Sequence, residues 1–116
     1  MPLVVRAFPV LPNREAGLKS FAASLAGERG AEATAFYRGL GVRHESWHVQ
    51  RTEHGTWVIG VTDVDDPGRR APQYAAAQAD FHRWFKDQVL DLTGIDPDTQ
   101  PLGPPTEVIF SWSAPQ

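Results

Sequence analysis

The fold of this chain is decided by the stretch VRHESWHVQRTEHGTWVIGVTDV, residues 42 to 64. Two parts of it, 42–51 and 56–64, alternate apolar and polar residues in the manner of half-buried strands. Between them stands Glu53-His54-Gly55, where a residue followed by glycine favours a tight turn. The stretch therefore predicts a β-hairpin.

The length of the turn sets which residues of the hairpin face each other, because one residue more or less changes the pairing. With His54-Gly55 as a two-residue loop, three cross-strand pairs are expected on one face of the sheet: Gln50 with Ile59, His48 with Val61, and Ser46 with Asp63.

A strand and a helix are predicted ahead of the hairpin. Leu3 to Phe8 is rich in β-branched and aromatic residues, and Pro9 and Pro12 close it. A helix is expected from about Arg14 to Leu40, with Asn13 as its N-cap and Gly41 as its C-terminal glycine. Its interior contains two glycines, Gly27 and Gly30, so we expect the helix to kink or divide there.

A second helix and a last strand are predicted after the hairpin. The polar turn 65–70 leads into a helix from Gln73 to Leu92, whose apolar residues form one broad stripe, and Gly94 ends it. Glu107 to Trp112 is β-branched and aromatic, which predicts the final strand.

The resulting order, β-α-β-β-α-β, is that of the ferredoxin-like α+β fold, in which a four-stranded antiparallel sheet carries both helices on one face. From their number we expect residues 1–116 to form one domain, since this is an ordinary domain size. Both parities of the later strands contain bulky apolar side chains, so the face without helices would be exposed in a monomer. We therefore expect a homodimer formed through the sheet face.

Composition excludes several classes of function. The formal net charge is −3 and no run of basic residues occurs, which argues against a surface for nucleic acid or anionic membrane. Without any cysteine, the chain has no disulfide, thiolate nucleophile or cysteine-ligated metal centre. No stretch has the apolar length of a membrane helix or the pattern of a signal peptide, so a cytoplasmic location is expected.

The order of elements, the segment Val42-Arg43-His44-Glu45-Ser46-Trp47, the block Phe81-His82-Arg83-Trp84-Phe85 and the short last strand together resemble the dimeric α/β-barrel superfamily. This resemblance implies a homodimer with a pocket between the sheet and the helices of each protomer. It also implies a small apolar or aromatic ligand, because the superfamily includes cofactor-free monooxygenases, polyketide cyclases, muconolactone isomerase-like enzymes and haem-degrading enzymes. No catalytic signature carries over residue by residue.

The candidate catalytic residues are His48, Asp63 and His82. Diagonal neighbours on adjacent strands lie roughly 7 to 8 Å apart, so Asp63 could orient His48 as a general base. His82 adjoins the apolar stripe of the second helix, from which it could enter the pocket. The structural alternatives are an exposed strand histidine for His48 and a histidine packed among aromatic rings for His82.

The candidate substrate-binding residues are Tyr37, Arg29, Trp47 and Trp84. Tyr37 or Arg29 could polarise a carbonyl or phenolate together with His82, and the indole rings could stack on a planar substrate. Tryptophans at strand and helix spacing are also ordinary residues of a core or a dimer seam.

No metal site and no cofactor are predicted. The aspartates at 63–66 and 96–98 lack the ligand spacing of a calcium loop, and neither a phosphate-binding glycine loop nor a nucleophile elbow occurs. The leading hypothesis is a homodimeric enzyme of the cofactor-free monooxygenase or cyclase/isomerase type. The alternatives are a non-catalytic ligand-binding or interaction module, and a haem or metal protein.

Overall fold

The computed structural model describes residues 3–76, 79–100 and 106–115. In these residues three strands and four helices follow one another along the chain: β1 Leu3–Pro9, α1 Glu15–Ala26, α2 Gly30–Gly39, β2 Val42–Thr52, β3 Gly55–Val64, α3 Pro67–Ala76 and α4 Asp80–Thr93. The sheet has the order β1-β3-β2, and both strand pairs are antiparallel. The α+β class and the antiparallel sheet are as predicted.

The hairpin forms where the sequence predicts it, but the predicted register was wrong by two residues. Thr52 pairs with Gly55, so the loop consists of Glu53 and His54. The Thr52 hydroxyl closes this turn, since it donates to the carbonyl of Gly55 at 2.9 Å and accepts the N–H of His54 at 3.1 Å. A two-residue shift leaves every side chain on the face expected for it, because strand side chains alternate with a period of two.

As a result, the cross-strand partners differ from those expected. Gln50 lies opposite Trp57, His48 opposite Ile59, and Ser46 opposite Val61. A β-bulge between Val42 and His44 makes Arg43 an extra residue on β2.

The first predicted helix divides at its glycines, as expected, because α1 ends at Ala26 and α2 begins at Gly30. The N-cap prediction was wrong: Arg14 holds that position without a side-chain cap, and Asn13 has the left-handed φ of +66° that asparagine tolerates well. Gly41, with φ +70°, ends this region as predicted, and its N–H donates to the carbonyl of Arg38.

The second predicted helix was wrong in extent, because α3 and α4 take the place of one continuous helix. Helix α3 starts early, at Pro67, because the Asp66 carboxylate accepts the N–H of Arg69 at 3.2 Å and proline suits the first helical position. Helix α4 ends at Gly94 as predicted, with φ +77° and its N–H bonded to Leu90.

The predicted last strand is not formed. Residues 106–115 lie outside any strand or helix, so the described part of the sheet has three strands and not four. The hydroxyl of Thr106 donates to the carbonyl of Val5 on β1 at 2.6 Å. A strand exists only where its backbone groups are paired, and beyond Thr106 no backbone pairing with β1 occurs in the described residues.

The helices cover one face of the sheet. Val58 is fully buried on that face, and the aromatic centre of the core consists of Phe21, Phe36 and Phe85, with Phe36 stacked on Phe85 at 4.7 Å between ring centroids. The opposite face, here called the outer face, carries the side chains of Val5, Ala7, Ile59 and Val61 next to the histidines and polar residues of β2. None of the helices in residues 3–76, 79–100 and 106–115 has the length and apolar character needed to cross a membrane.

Candidate functional site

A cavity of about 490 Å³ lies between the sheet and the helices. All three strands contribute the side chains of their helix-facing positions, and α3 together with the loop 97–100 lines another part of it. Most of the wall is apolar or aromatic: Val4, Phe8, Leu18, Phe21, Phe36, Trp47, Val58, Phe85 and Val89. The resemblance to dimeric α/β barrels implied a pocket in this place.

The polar centre of the cavity wall is Glu45. The alternation of β2 puts its side chain on the helix-facing side, directly opposite Thr62 on β3. The hydroxyl of Thr62 donates to Oε1 at 2.5 Å, and the indole N–H of Trp47 donates to Oε2 at 2.7 Å. Both carboxyl oxygens therefore have a defined position.

The electrostatic environment of Glu45 favours its protonated form. Burial raises the pKa of the Glu45 carboxyl, and this effect exceeds the opposing effects of the hydrogen bonds from Thr62 and Trp47 and of the nearby His44. A carboxyl whose pKa is shifted toward neutrality is suited to giving and taking protons at physiological pH.

Two tyrosines share the cavity wall with Glu45. Burial raises the pKa of Tyr37, and the neighbouring Glu45 and Tyr74 raise it further. Burial also raises the pKa of Tyr74, with smaller contributions from Asp98 and Glu45. Both phenols therefore stay neutral near pH 7 and are available as hydrogen-bond donors.

A second cavity of about 560 Å³ opens beside the edge strand β2 and is lined by α1, α2 and the start of β2. Tyr37, Val42, Glu45 and Trp47 border both cavities. Glu45 therefore belongs to the partition between the inner cavity and this more open groove.

Of the residues predicted to bind substrate, Tyr37 and Trp47 lie on the inner cavity wall. Arg29 and Trp84 do not line it and instead contact each other, with the guanidinium carbon 4.1 Å from the centroid of the indole ring. This geometry is a cation–π contact between the N-cap residue of α2 and helix α4.

The structure does not bring the predicted catalytic residues together. His48 is exposed on the outer face, and its Nε2 atom lies 3.0 Å from the hydroxyl of Ser46. Asp63 is buried near the end of β3 opposite His44, and Arg43 donates to it at 2.7 Å. The shift in register removes the diagonal relation on which the expected pair of His48 and Asp63 depended.

His82 lies outside the cavity wall and packs edge-on against Phe36, with ring centroids 4.7 Å apart. Burial and the nearby Lys86 lower the pKa of this imidazole, which favours its neutral form. Its Nδ1 atom is buried and has no hydrogen-bond partner in the described part of the chain. The same part contains no group of three or more His, Asp or Glu side chains placed to hold a metal ion.

Sequence reasoning missed Glu45, Thr62 and Tyr74. A signal was present for the first of them, because Glu45 is a carboxylate at the same strand parity as the apolar side chains of Trp47 and Val49 that follow it. Thr62 and Tyr74 gave no comparable signal, because a threonine in a strand and a tyrosine in a helical stripe are common structural residues.

No protein-family model matches the chain, and no curated protein matches it. Among solved structures, the crystal structure of an L-rhamnose mutarotase from Formosa agariphila is similar, with a TM-score of 0.68 and 14% sequence identity. The match covers 97% of this chain and 100% of the other. At this level of identity the likeness concerns the fold, and it supports the ferredoxin-like α+β architecture.

Proposed function

We propose that this protein is a small-molecule-binding enzyme of the isomerase or cyclase type, in which Glu45 transfers protons to and from a substrate held in the inner cavity. The observation that carries this proposal is the half-buried carboxyl of Glu45, oriented by Thr62 and Trp47, on a mostly apolar wall. General acid–base catalysis needs a positioned group whose pKa lies near the working pH, and burial moves the pKa of Glu45 in that direction.

The wall of the cavity indicates the class of substrate. The cavity volume of about 490 Å³ suits a small organic molecule, and the aromatic side chains of the wall favour a planar or alicyclic, uncharged compound. Tyr37 and Trp47 are the proposed substrate contacts, with the Tyr37 hydroxyl donating to a carbonyl or hydroxyl oxygen of the substrate. Glu45 also borders the outer groove, which offers a route for proton exchange with solvent.

The name of the similar structure, a mutarotase, is compatible with an isomerase-type reaction. Most of the surface of the wall is apolar, which suits a compound as rich in hydroxyl groups as rhamnose poorly, so we infer a less polar substrate. Cofactor-free oxygenation would use the same cavity, and oxygen consumption during turnover would identify it.

The test uses a panel of uncharged aromatic and alicyclic ketones and lactones. Binding is followed by ligand-detected NMR, and proton transfer by the incorporation of deuterium from D₂O at carbon atoms next to the carbonyl group. We expect Glu45→Gln to bind these compounds but to slow exchange at least about 100-fold, the size of a general acid–base contribution. The matched control, His48→Ala on the outer face, should exchange at the rate of the unmodified protein.

Exchange that proceeds undiminished in Glu45→Gln would overturn the assignment of Glu45. Binding without exchange in any variant would favour the non-catalytic ligand-binding module instead. Failure of the whole panel to bind would contradict the proposed substrate class.

We also propose that two copies associate through the outer face of the sheet. Leu3 is 57% exposed there, and Val5, Ala7, Ile59 and Val61 form a half-exposed apolar area beside it. A twofold dimer would remove this area from water.

Sedimentation should show a dimer that Ile59→Glu converts to a monomer, whereas the control Ser20→Glu on exposed α1 should leave it intact. A monomeric unmodified protein would contradict this proposal.

A further inference from the structure

The C-terminal segment is the most exposed apolar part of the described chain. Four of its residues are at least 70% exposed to water: Val108 is 75% exposed, Ile109 92%, Phe110 70% and Trp112 73%. These residues follow one another within a short run whose β-branched and aromatic composition is typical of a strand. A contiguous apolar surface of this kind usually marks an interaction site in a folded protein.

The start of the segment is anchored at the edge of the sheet. The hydroxyl of Thr106 donates to the carbonyl of Val5 at 2.6 Å, so the segment leaves the protein beside β1. Strand β1 pairs with β3 on one side, and in the described residues no strand pairs with its other side. An open edge presents backbone N–H and carbonyl groups that an added strand can pair with.

The outer face of the sheet adjoins this edge. Val5 and Ala7 of β1 lie on it next to Ile59 and Val61 of β3, so apolar side chains continue from the edge across the sheet. Each chain therefore carries both an exposed strand-like segment and an uncovered apolar sheet surface. In a twofold assembly each copy can cover the surface of the other with its own segment.

We propose that residues 107–112 of each chain dock on the β1 edge and outer face of a second copy, so that two copies exchange their C-terminal segments. The occupant of this surface is thus the C-terminal segment of a second copy of this chain. The mode of binding is strand addition, in which main-chain hydrogen bonds provide affinity and apolar side chains provide the fit. The inference goes beyond the proposed enzyme activity and rests on the proposed dimer alone.

Engineered cysteines test the exchange, because the chain has no cysteine of its own. Three single variants are made: Ala7→Cys on the outer face of β1, and Val108→Cys and Ser111→Cys, which have opposite parity in the segment. Isotope-labelled Ala7→Cys is unfolded, mixed with either unlabelled segment variant, refolded and treated with a short bis-maleimide. A covalent product of labelled and unlabelled chains can form only between two copies, and we expect it for at least one segment variant.

Two double variants test the alternative that each segment folds onto its own chain: Ala7→Cys/Val108→Cys and Ala7→Cys/Ser111→Cys. If they yield cross-linked monomers and the mixtures yield no mixed product, each segment folds onto its own chain and the proposal is overturned. Absence of cross-linking in all samples would overturn it as well.

Sedimentation separates this inference from the dimer on which it rests. Ile109→Asp should weaken association at least about tenfold, because it puts a charge into the proposed contact. Ser113→Asp, which adds the same charge just beyond the apolar run, should change it little. A dimer that is unaffected by Ile109→Asp and gives no mixed cross-link would leave association through the sheet face standing and refute the exchange.

Discussion

At the scale of the residue, the decisive feature is the carboxyl of Glu45. Its neighbours Trp47 and Thr62 hold both oxygens, and burial raises its pKa above the usual value of 4.5. A raised pKa in the folded state means that the folded protein binds a proton more tightly than the unfolded chain does. Ionising Glu45 therefore costs stability, in contrast to a carboxylate stabilised by a cation.

This predicts a pH dependence of stability that Glu45→Gln should remove. In the unmodified protein the contribution of Glu45 is fully present below pH 4.5 and declines as the pH rises through its raised folded-state pKa. The free energy of unfolding, measured with urea from acidic to neutral pH, should thus fall less steeply in Glu45→Gln. Glu53→Gln in the exposed hairpin loop is the control. Equal slopes for Glu45→Gln and the unmodified protein would contradict the assigned shift.

At the scale of the element, the helix ends show which local signals are reliable. Gly94 ends α4 with φ +77°, a backbone conformation that disfavours any residue with a Cβ atom. Gly39 ends α2, and a Cβ atom added there would meet nothing within 4 Å. Gly94→Ala should lower the free energy of unfolding by about 1 kcal/mol, whereas Gly39→Ala should be neutral or stabilising. Equal effects in urea unfolding would contradict the strained geometry at Gly94.

The loop after α4 closes part of the cavity and is held by Asp98. Its carboxylate bonds to the fully buried ammonium of Lys86 at 2.9 Å and to the guanidinium of Arg83 at 2.6 Å. These hydrogen bonds lower the pKa of Asp98, so its stabilising contribution is present above the ordinary value of 3.8 and is lost as the pH falls through the folded-state pKa.

Asp98→Asn should accordingly lower the melting temperature at neutral pH, and the deficit should shrink in acid, where the unmodified carboxylate is protonated too. The control is Asp87→Asn, which removes an exposed partner of Arg83 at 3.4 Å and should have little effect. A deficit that stays constant down to strongly acidic pH would show that packing rather than charge explains the loss.

At the scale of the whole molecule, the space in the cavity depends on the absence of a side chain at Gly60 in the central strand β3. Gly60 faces the helices from β3, opposite Arg6 and Trp47, and a Cβ atom added there would meet nothing within 4 Å. A larger side chain at this position would therefore extend into the cavity without a clash at its first atom. Glycine within a strand also costs about 0.5–1 kcal/mol relative to alanine.

Gly60→Leu should abolish ligand binding while the melting temperature stays the same or rises. Gly60→Ala, the matched control, should raise the free energy of unfolding by about 0.5–1 kcal/mol and retain most of the binding. Thermal unfolding and the ligand-detected NMR used for the panel measure both quantities. If Gly60→Leu bound the compounds as tightly as the unmodified protein, the ligand site would have to lie outside the inner cavity.

The sequence by itself determined the first strand, the hairpin, the helical regions before and after it, the division of the first helix and the terminal glycines Gly41 and Gly94, because these depend on local backbone preferences. Of the four residues that it predicted to bind substrate, Tyr37 and Trp47 line the inner cavity, whereas Arg29 and Trp84 do not. The register of the hairpin was decided by the side chain of Thr52, whose hydrogen bonds closed the turn one residue earlier than the glycine signal indicated.

Only the tertiary structure decided which face of the sheet meets the helices. Both strand parities carry bulky apolar side chains, so periodicity alone could not choose between them. Packing of Phe21, Phe36 and Phe85 against Val58 selected the parity that contains Glu45, and thereby left His48 and Asp63 on the outer face. Tertiary contacts also decided that the predicted last strand does not form. A segment with strand propensity becomes a strand only where it can pair with the edge of a sheet or pack against a surface.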